Sequence, residues 1–203
     1  MSKITVYKGD LPDSIHFEGA VAVDTETMGL NLHRDRLCLV QLSAGDGTAV
    51  LVQIEDETDC PNLRRLMEDE SVLKIFHFAR FDVAKIMNDL NVVPYPVYCT
   101  KIASKLCRTS SPSHSLKSLC HDLLGVELQK EQQTSDWGAE ELSEAQQQYA
   151  ANDVLYLHQL REKLDKLLER EHRSELAQAC FEFMQARAAL DLEDFDEPDI
   201  FAH

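Results

Sequence analysis

Val21-Ala22-Val23-Asp24-Thr25-Glu26, followed by Thr27-Met28-Gly29-Leu30, is an apolar run that ends abruptly in two carboxylates one residue apart. The run reads as a buried strand. Residues i and i+2 of a strand share a face, so Asp24 and Glu26 project together from its C-terminal end. Two adjacent carboxylates repel, and burial raises the cost of ionising both, so a site that keeps them together holds a cation. Hard oxygen donors at close quarters suit Mg2+ or Mn2+. The plain alternative is a solvated strand end, since 36 acidic residues in 203 produce Asp-x-Glu readily by chance.

Outward from this strand the pattern changes once. Before it, Ile4 to Tyr7 is a short strand candidate. After it, the apolar runs Leu37 to Ala44 and Ala49 to Ile54 are joined by Gly45-Asp46-Gly47-Thr48, which is hairpin chemistry and predicts an antiparallel meander from residue 20. Pro61 to Asp69 then reads as a helix with proline in its first turn, and Leu73 to Phe78 as a strand. Phe81 to Leu90 follows a helical period, and Val97 to Thr100 is a last short strand. Hairpins giving way to alternating helix and strand mark an α/β chain with a mixed β-sheet flanked by helices.

Beyond Thr100 the reading is wholly helical. Lys101 to Cys107 and Ser115 to Leu124 are helices separated by a polar loop, with Gly125 closing the second. Glu131 to Gly138 is a polar connection carrying the single tryptophan, Trp137. One long helix starts near Leu142, with Ser143 as its cap and an apolar stripe through Val154, Leu157, Leu160, Leu164, Leu167 and Leu168. Ser174 to Leu190 is another helix, and Asp191 to Asp199 is an acidic tail. No internal repeat or low-complexity linker separates domains, so residues 1–170 form one domain, with a C-terminal helix and tail, 171–203, packed on it.

The chain carries 20 basic against 36 acidic residues, a formal charge of -16. Long nucleic acid is held by many phosphate contacts to Lys and Arg, so non-specific duplex binding is disfavoured, whereas a short anionic substrate in a metal site is not. Cys38, Cys60, Cys99, Cys107, Cys120 and Cys180 show no CxxC spacing and read as reduced core thiols. The N-terminus lacks the apolar core of a signal peptide, and no run reaches membrane-spanning length. A cytoplasmic protein is the expectation.

Two further carboxylates join the first pair. Asp82 stands at the start of its helix, where a capping role and a site role are both open. On the long helix, Tyr149 and Asp153 are four residues apart and share a face that Leu157 directs inward. An ionised Asp there is costly unless it is paired or binds metal; a structural tyrosine beside a salt-bridged aspartate is the simpler reading of that pair alone.

Together, Val23-Asp24-Thr25-Glu26, Phe81-Asp82 and Tyr149-Ala150-Ala151-Asn152-Asp153 resemble the three motifs of the DEDD superfamily of 3′-5′ exonucleases, in the subclass with tyrosine in the last motif. Ser115-Leu116-Lys117-Ser118-Leu119, Leu124-Gly125-Val126, Gln133-Thr134-Ser135-Asp136-Trp137 and Asp153-Val154-Leu155-Tyr156-Leu157 resemble ribonuclease D. The resemblance covers residues 20 to 165 and implies a ribonuclease H-like exonuclease fold. It also implies two divalent metal ions, Mg2+ or Mn2+, held by Asp24, Glu26, Asp82 and Asp153, with Asp24 bridging both. Two such ions about 4 Å apart activate a water and stabilise the leaving 3′ oxygen. By the same resemblance Tyr149 orients that water, and the products are 5′-mononucleotides. A general ribonuclease D-like exonuclease on longer RNA or single-stranded DNA is the alternative within the class, and a non-catalytic nucleic-acid-binding module the alternative outside it.

The sequence departs from the superfamily pattern at His77, where Asn is usual, and at Gly138-Ala139-Glu140-Glu141, where relatives carry Arg-Pro. His77 is either a satisfied core residue or a contact to the substrate's 3′ end. Full-length ribonuclease D carries helical RNA-binding domains after its nuclease, whereas about 40 residues follow the motifs here, so extended contact with a long RNA is not the expectation. Leu32-His33-Arg34-Asp35-Arg36-Leu37, Ile75-Phe76-His77-Phe78 and Cys99 through Leu106 resemble the nano-RNase C branch, whose substrates are very short RNAs, chiefly dinucleotides. That resemblance implies that Leu30 wedges between the two bases, where the alternative is a core leucine after a turn. It further implies a large homo-oligomer, an octamer. Thr25 joins the substrate contacts, and Lys101, Arg108, Ser110 and His114 are the candidates for the 5′ phosphate.

Overall fold

The structure is a computed structural model describing residues 3–55, 59–128, 135–196 and 198–201. Among them, six strands form one sheet: β1 Lys3–Lys8, β2 Ala20–Thr27, β3 Leu37–Ser43, β4 Thr48–Gln53, β5 Leu73–Phe76 and β6 Val97–Cys99, in the spatial order β1-β4-β3-β2-β5-β6. β2, β3 and β4 are the antiparallel meander, whereas β5 lies parallel to β2, and β6 to β5. β1 adds a parallel edge beside β4. The sheet is therefore mixed, and β2, with the carboxylates, is one of its interior strands.

The hairpin between β3 and β4 turns through Gly45 and Gly47, both with positive φ. A Cβ at residue 45 would stand 2.6 Å from the His158 ring, so glycine is required there by backbone conformation and by space. β3 is buried along its whole length, consistent with helices on both faces of the sheet.

On the helical side, α1 Pro61–Glu68 and α2 Ala79–Leu90 precede β6, and α3 Thr100–Cys107 follows it directly. α4 Leu116–Leu119 runs into a π-helical turn, Cys120–Leu124, which Gly125 ends in the left-handed conformation. The long helix expected from Leu142 is two helices, α5 Glu144–Leu155 and α6 Leu157–Arg170, broken at Tyr156, where φ is -108°. That bend lets α5 lie across β2, β3 and β4 while α6 packs on α3 and β5. Ser143 caps α5 with a complete capping box: its hydroxyl accepts from Gln146, whose side chain returns to Ser143.

The expected helix from Ser174 is likewise broken at Phe183 into α7 Ser174–Glu182, against β6, and α8 Met184–Leu192, against α2. The acidic tail begins inside α8. Asp191 is buried and accepts two hydrogen bonds from Arg80 of α2, at 2.5 and 2.7 Å, while Arg187 approaches it to 3.0 Å.

All six cysteines are thiols, five of them buried. Residues 131–134 of the connection before Trp137 lie outside the described residues. Trp137 is buried against Leu39, Leu51 and Leu142, with the Tyr149 ring 6.0 Å away. Among the described residues no helix is long and apolar enough to cross a membrane.

Candidate active site

β2 ends in a register shift between Glu26 and Thr27. The extra residue is Cys38 of β3, the strand paired with β2, so the ladder is disrupted beside the two carboxylates. Asp24 and Glu26 point to one side and meet Asp153 from α5, and a ligand oxygen from each of the three lies within 4.8 Å of the others. Thr25, turned the opposite way by strand alternation, donates its hydroxyl to Asp82 Oδ1 at 2.6 Å. Asp82 is buried in the first turn of α2. It does not cap that helix: Phe78 holds the N-cap position, with φ of 67°, and no side chain caps. β2 thus gathers carboxylates from helices that reach it by different routes.

No Lys or Arg among the described residues pairs with any of the four carboxylates; Asp24 accepts hydrogen bonds from Gln41 Nε2, at 3.2 Å, and from the Thr25 backbone. The electrostatic result is a set of carboxyls that resist ionisation. Desolvation raises Asp24 well above the usual range, reinforced by Asp82, Asp153 and Glu26. Desolvation, then Asp153 and Asp82, pushes Glu26 up to about 9. Asp82 and Asp153 rise to about 7, again chiefly by desolvation, with the Thr25 hydroxyl drawing Asp82 back. Four hard oxygen donors with uncompensated charge fit divalent cations, which would supply the missing positive charge.

Tyr149 stands one helical turn before Asp153, half-buried. Desolvation and the neighbouring Asp153, Glu26 and Asp24 hold its phenol well above the ordinary value, so it stays a neutral donor. These residues open into a cleft of about 420 Å³ that Thr25, Leu30, His77 and Lys101 also line. Leu30 is 84% exposed, so it is no core leucine: it stands at the rim with an unpaired apolar side chain.

His77 Nδ1 lies 2.9 Å from Thr100 Oγ1. The Thr100 hydroxyl gives its one proton to the Phe76 carbonyl at 3.2 Å, so Nδ1 is the donor to Thr100 and Nε2 is left as an acceptor. Burial, then Lys101, pushes His77 down to about 3, keeping it neutral. Lys101 Nζ sits 3.9 Å from the Phe78 ring centroid.

Arg108, Ser110 and His114 are not among the lining residues. Arg108 pairs with Asp122, and His114 Nδ1 meets Ser104 Oγ at 2.8 Å; Ser110 is exposed in the loop between them. The cleft is lined instead by Phe78, Phe81, Ser115, Leu116, Lys117 and Leu128. Of these, Ser115-Leu116-Lys117 is legible as a ribonuclease D-like stretch and Phe78 and Phe81 lie in stretches that carry the resemblance, while nothing in the sequence marks Leu128.

The fold and these motifs have close counterparts. A family model described as 3'-5' exonuclease matches residues 10–169. Ribonuclease D of Bartonella henselae is 33% identical over 154 residues, 76% of this chain and 38% of its own length. The chain spans about two fifths of the length of the curated ribonuclease D relatives it matches. Among solved structures, Brucella melitensis NrnC bound to pGG superposes with a TM-score of 0.95 at 52% identity, covering 100% of both chains. The same protein with bound Mg2+ gives 0.93 at 52% identity over 99% of each. By its matched motifs and its fold, this chain belongs to the 3'-5' exonuclease family, with ribonuclease D and NrnC as relatives.

Proposed function

We propose that this protein is a metal-dependent 3′-5′ exoribonuclease that hydrolyses very short RNA, chiefly dinucleotides, to 5′-mononucleotides. The observation that carries the reading is the convergence of Asp24, Glu26 and Asp153 within 4.8 Å, beside Asp82, without a cationic partner among the described residues. The short substrate is supported by NrnC, a relative matched from end to end in a structure bound to pGG, a dinucleotide by its notation. A net charge of -16 also disfavours a long polyanion.

Asp24, Glu26, Asp82 and Asp153 would hold two divalent ions, Mg2+ or Mn2+; NrnC has been seen with Mg2+. Bound there, such ions offset the carboxylate charge, generate a nucleophile from water and stabilise the leaving 3′ oxygen. Tyr149, a neutral phenol whose hydroxyl bonds the Asp153 carboxyl, orients the attacking water. Thr25 holds Asp82 in place. His77 Nε2 accepts from the 3′-terminal hydroxyl, Leu30 separates the two bases, and Lys101 neutralises a substrate phosphate. Arg108, Ser110 and His114 remain candidates for the 5′ phosphate.

We read the protein as cytoplasmic, in keeping with six cysteine thiols, and as a homo-oligomer, an octamer. Leu176, Phe183, Phe195, Ile200 and Phe201 are exposed near the C-terminus, and apolar exposure of this kind suits an interface. The ribonuclease D relatives favour a second reading, a general exonuclease on longer RNA or single-stranded DNA.

A time course with Mg2+ on 5′-labelled RNA from a dinucleotide to a long single strand, with Asp24→Asn as blank, separates the two. Strong preference for the dinucleotide is the expected result. Comparable trimming of every length identifies the general exonuclease, and activity retained by Asp24→Asn overturns the site.

A further inference from the structure

Because Leu30 is 84% exposed, its own packing does not fix its position. The backbone of the loop between β2 and β3 does. Inside that loop, Thr27 Oγ1 donates to the Gly29 carbonyl at 2.5 Å, and Asp35 accepts from the Asn31 N–H at 3.0 Å. Asn31 Oδ1 in turn accepts from the N–H groups of His33 and Arg34, at 3.1 and 2.8 Å. A Cβ at residue 29 would stand 2.4 Å from the Asp35 carboxylate, so any larger residue there displaces the Asp35 side chain that accepts from Asn31. The loop is a preformed unit, and its placement against the carboxylates depends on what holds it from outside.

That hold comes from α2. Lys85 is 1% exposed, donates Nζ to the Leu32 carbonyl at 2.8 Å and pairs with Asp89 at 2.8 Å. Asp89, one turn further along, accepts from the Leu37 N–H at 2.5 Å. Two side chains of one helix therefore grip the middle of the loop and its exit into β3. The same helix carries Asp82, one turn before Lys85, and Asp82 is tied to β2 through Thr25. A buried ammonium is costly, and a Met of similar volume would fill the space more cheaply, but it could not hold a carbonyl.

We propose that Lys85 is a positioning residue for the substrate: through the Leu32 carbonyl it sets the distance between Leu30 and the catalytic carboxylates. This rests on the reading of Leu30 as the wedge between the two bases.

The test is a double-mutant cycle of Leu30→Ala and Lys85→Met, with steady-state kinetics on a dinucleotide, the Mg2+ concentration for half-maximal rate, and the melting temperature. Each single variant is expected to lower kcat/KM about tenfold through misplacement of the substrate. The double variant should fall to within about twofold of the weaker single, because both changes remove one positioning element. The Mg2+ requirement should stay unchanged.

If the effects of the two substitutions multiply, or Lys85→Met lowers only the melting temperature, Lys85 is merely structural and the proposal is overturned while the wedge stands. If Leu30→Ala alone leaves kinetics unchanged, the wedge reading itself fails and takes this inference with it. Should Lys85→Met not fold, Lys85→Gln, polar but too short to reach the carbonyl, is put through the same cycle and judged by the same outcomes.

Discussion

The hydroxyl of Thr25 is 2.6 Å from Asp82 Oδ1, across 57 residues of sequence, and it ties the strand bearing Asp24 and Glu26 to the helix bearing the third carboxylate. The bond draws the Asp82 carboxyl down against the desolvation that raises it. Thr25→Val keeps the shape and removes the donor. A hydrogen bond to a charged group contributes about 1.5–3 kcal/mol, so the variant should need roughly tenfold or more Mg2+ for half-maximal rate, with the fold intact. An activity titration against Mg2+ checks it, and an unchanged requirement would show that Asp82 needs no such anchor.

The carboxylate set also makes stability depend on pH in a definite direction. Unfolded, these groups ionise near pH 4; folded and without metal, Asp82 and Asp153 ionise near 7 and Glu26 near 9. Between those limits the native state holds more protons than the unfolded chain, so raising the pH favours unfolding. The melting temperature of metal-free protein should fall from about pH 4 to about pH 9. Mg2+ should cancel the decline, stabilising more at pH 8 than at pH 5. Asp153→Asn, which removes one of the repelling charges, should melt higher than wild type without metal at pH 8 and lose activity on the order of a thousandfold. Scanning calorimetry across pH, with and without Mg2+, measures both.

Tyr149 is held as a neutral phenol beside Asp153, Glu26 and Asp24. Its loss should therefore be felt in chemistry, not in binding. Tyr149→Phe is expected to lower kcat roughly tenfold to a hundredfold with KM within about threefold, as for a group that orients a reactant. A large rise in KM at unchanged kcat would contradict a water-positioning role.

Asp191 joins α8 to α2 through Arg80 and Arg187. Its side chain is 6% exposed and that of Arg187 10%, so Asp191→Ala takes from a buried guanidinium its 3.0 Å partner and leaves it only Asp199 at 3.7 Å and the Phe195 carbonyl at 3.5 Å among the described residues. Breaking such a pair costs about 3 kcal/mol or more. Urea denaturation should show the loss. A change below about 0.5 kcal/mol, typical of a surface site, would mean that the C-terminal helices owe nothing to this cluster.

By itself the sequence determined the meander and the class of fold, through Gly-Asp-Gly between two apolar runs and the change to alternating helix and strand. For the four carboxylates and Tyr149 the local signals, a same-face pair on β2 and a four-residue spacing on one helix face, left structural alternatives open, and the resemblance to the exonuclease motifs joined them into one candidate site. The breaks at Tyr156 and Phe183 were not legible, because the apolar stripe runs through the first of them and a departure of a few tens of degrees from helical φ and ψ at Tyr156, or from helical ψ at Phe183, leaves no mark on composition. Tertiary structure also decided that Asp82 is held by Thr25 instead of capping its helix, that Leu30 stands exposed, and that Arg108 and His114 turn toward Asp122 and Ser104. Each of these depends on which distant side chain comes within about 3 Å, a relation set by how the helices cross the sheet and invisible to periodicity along the chain.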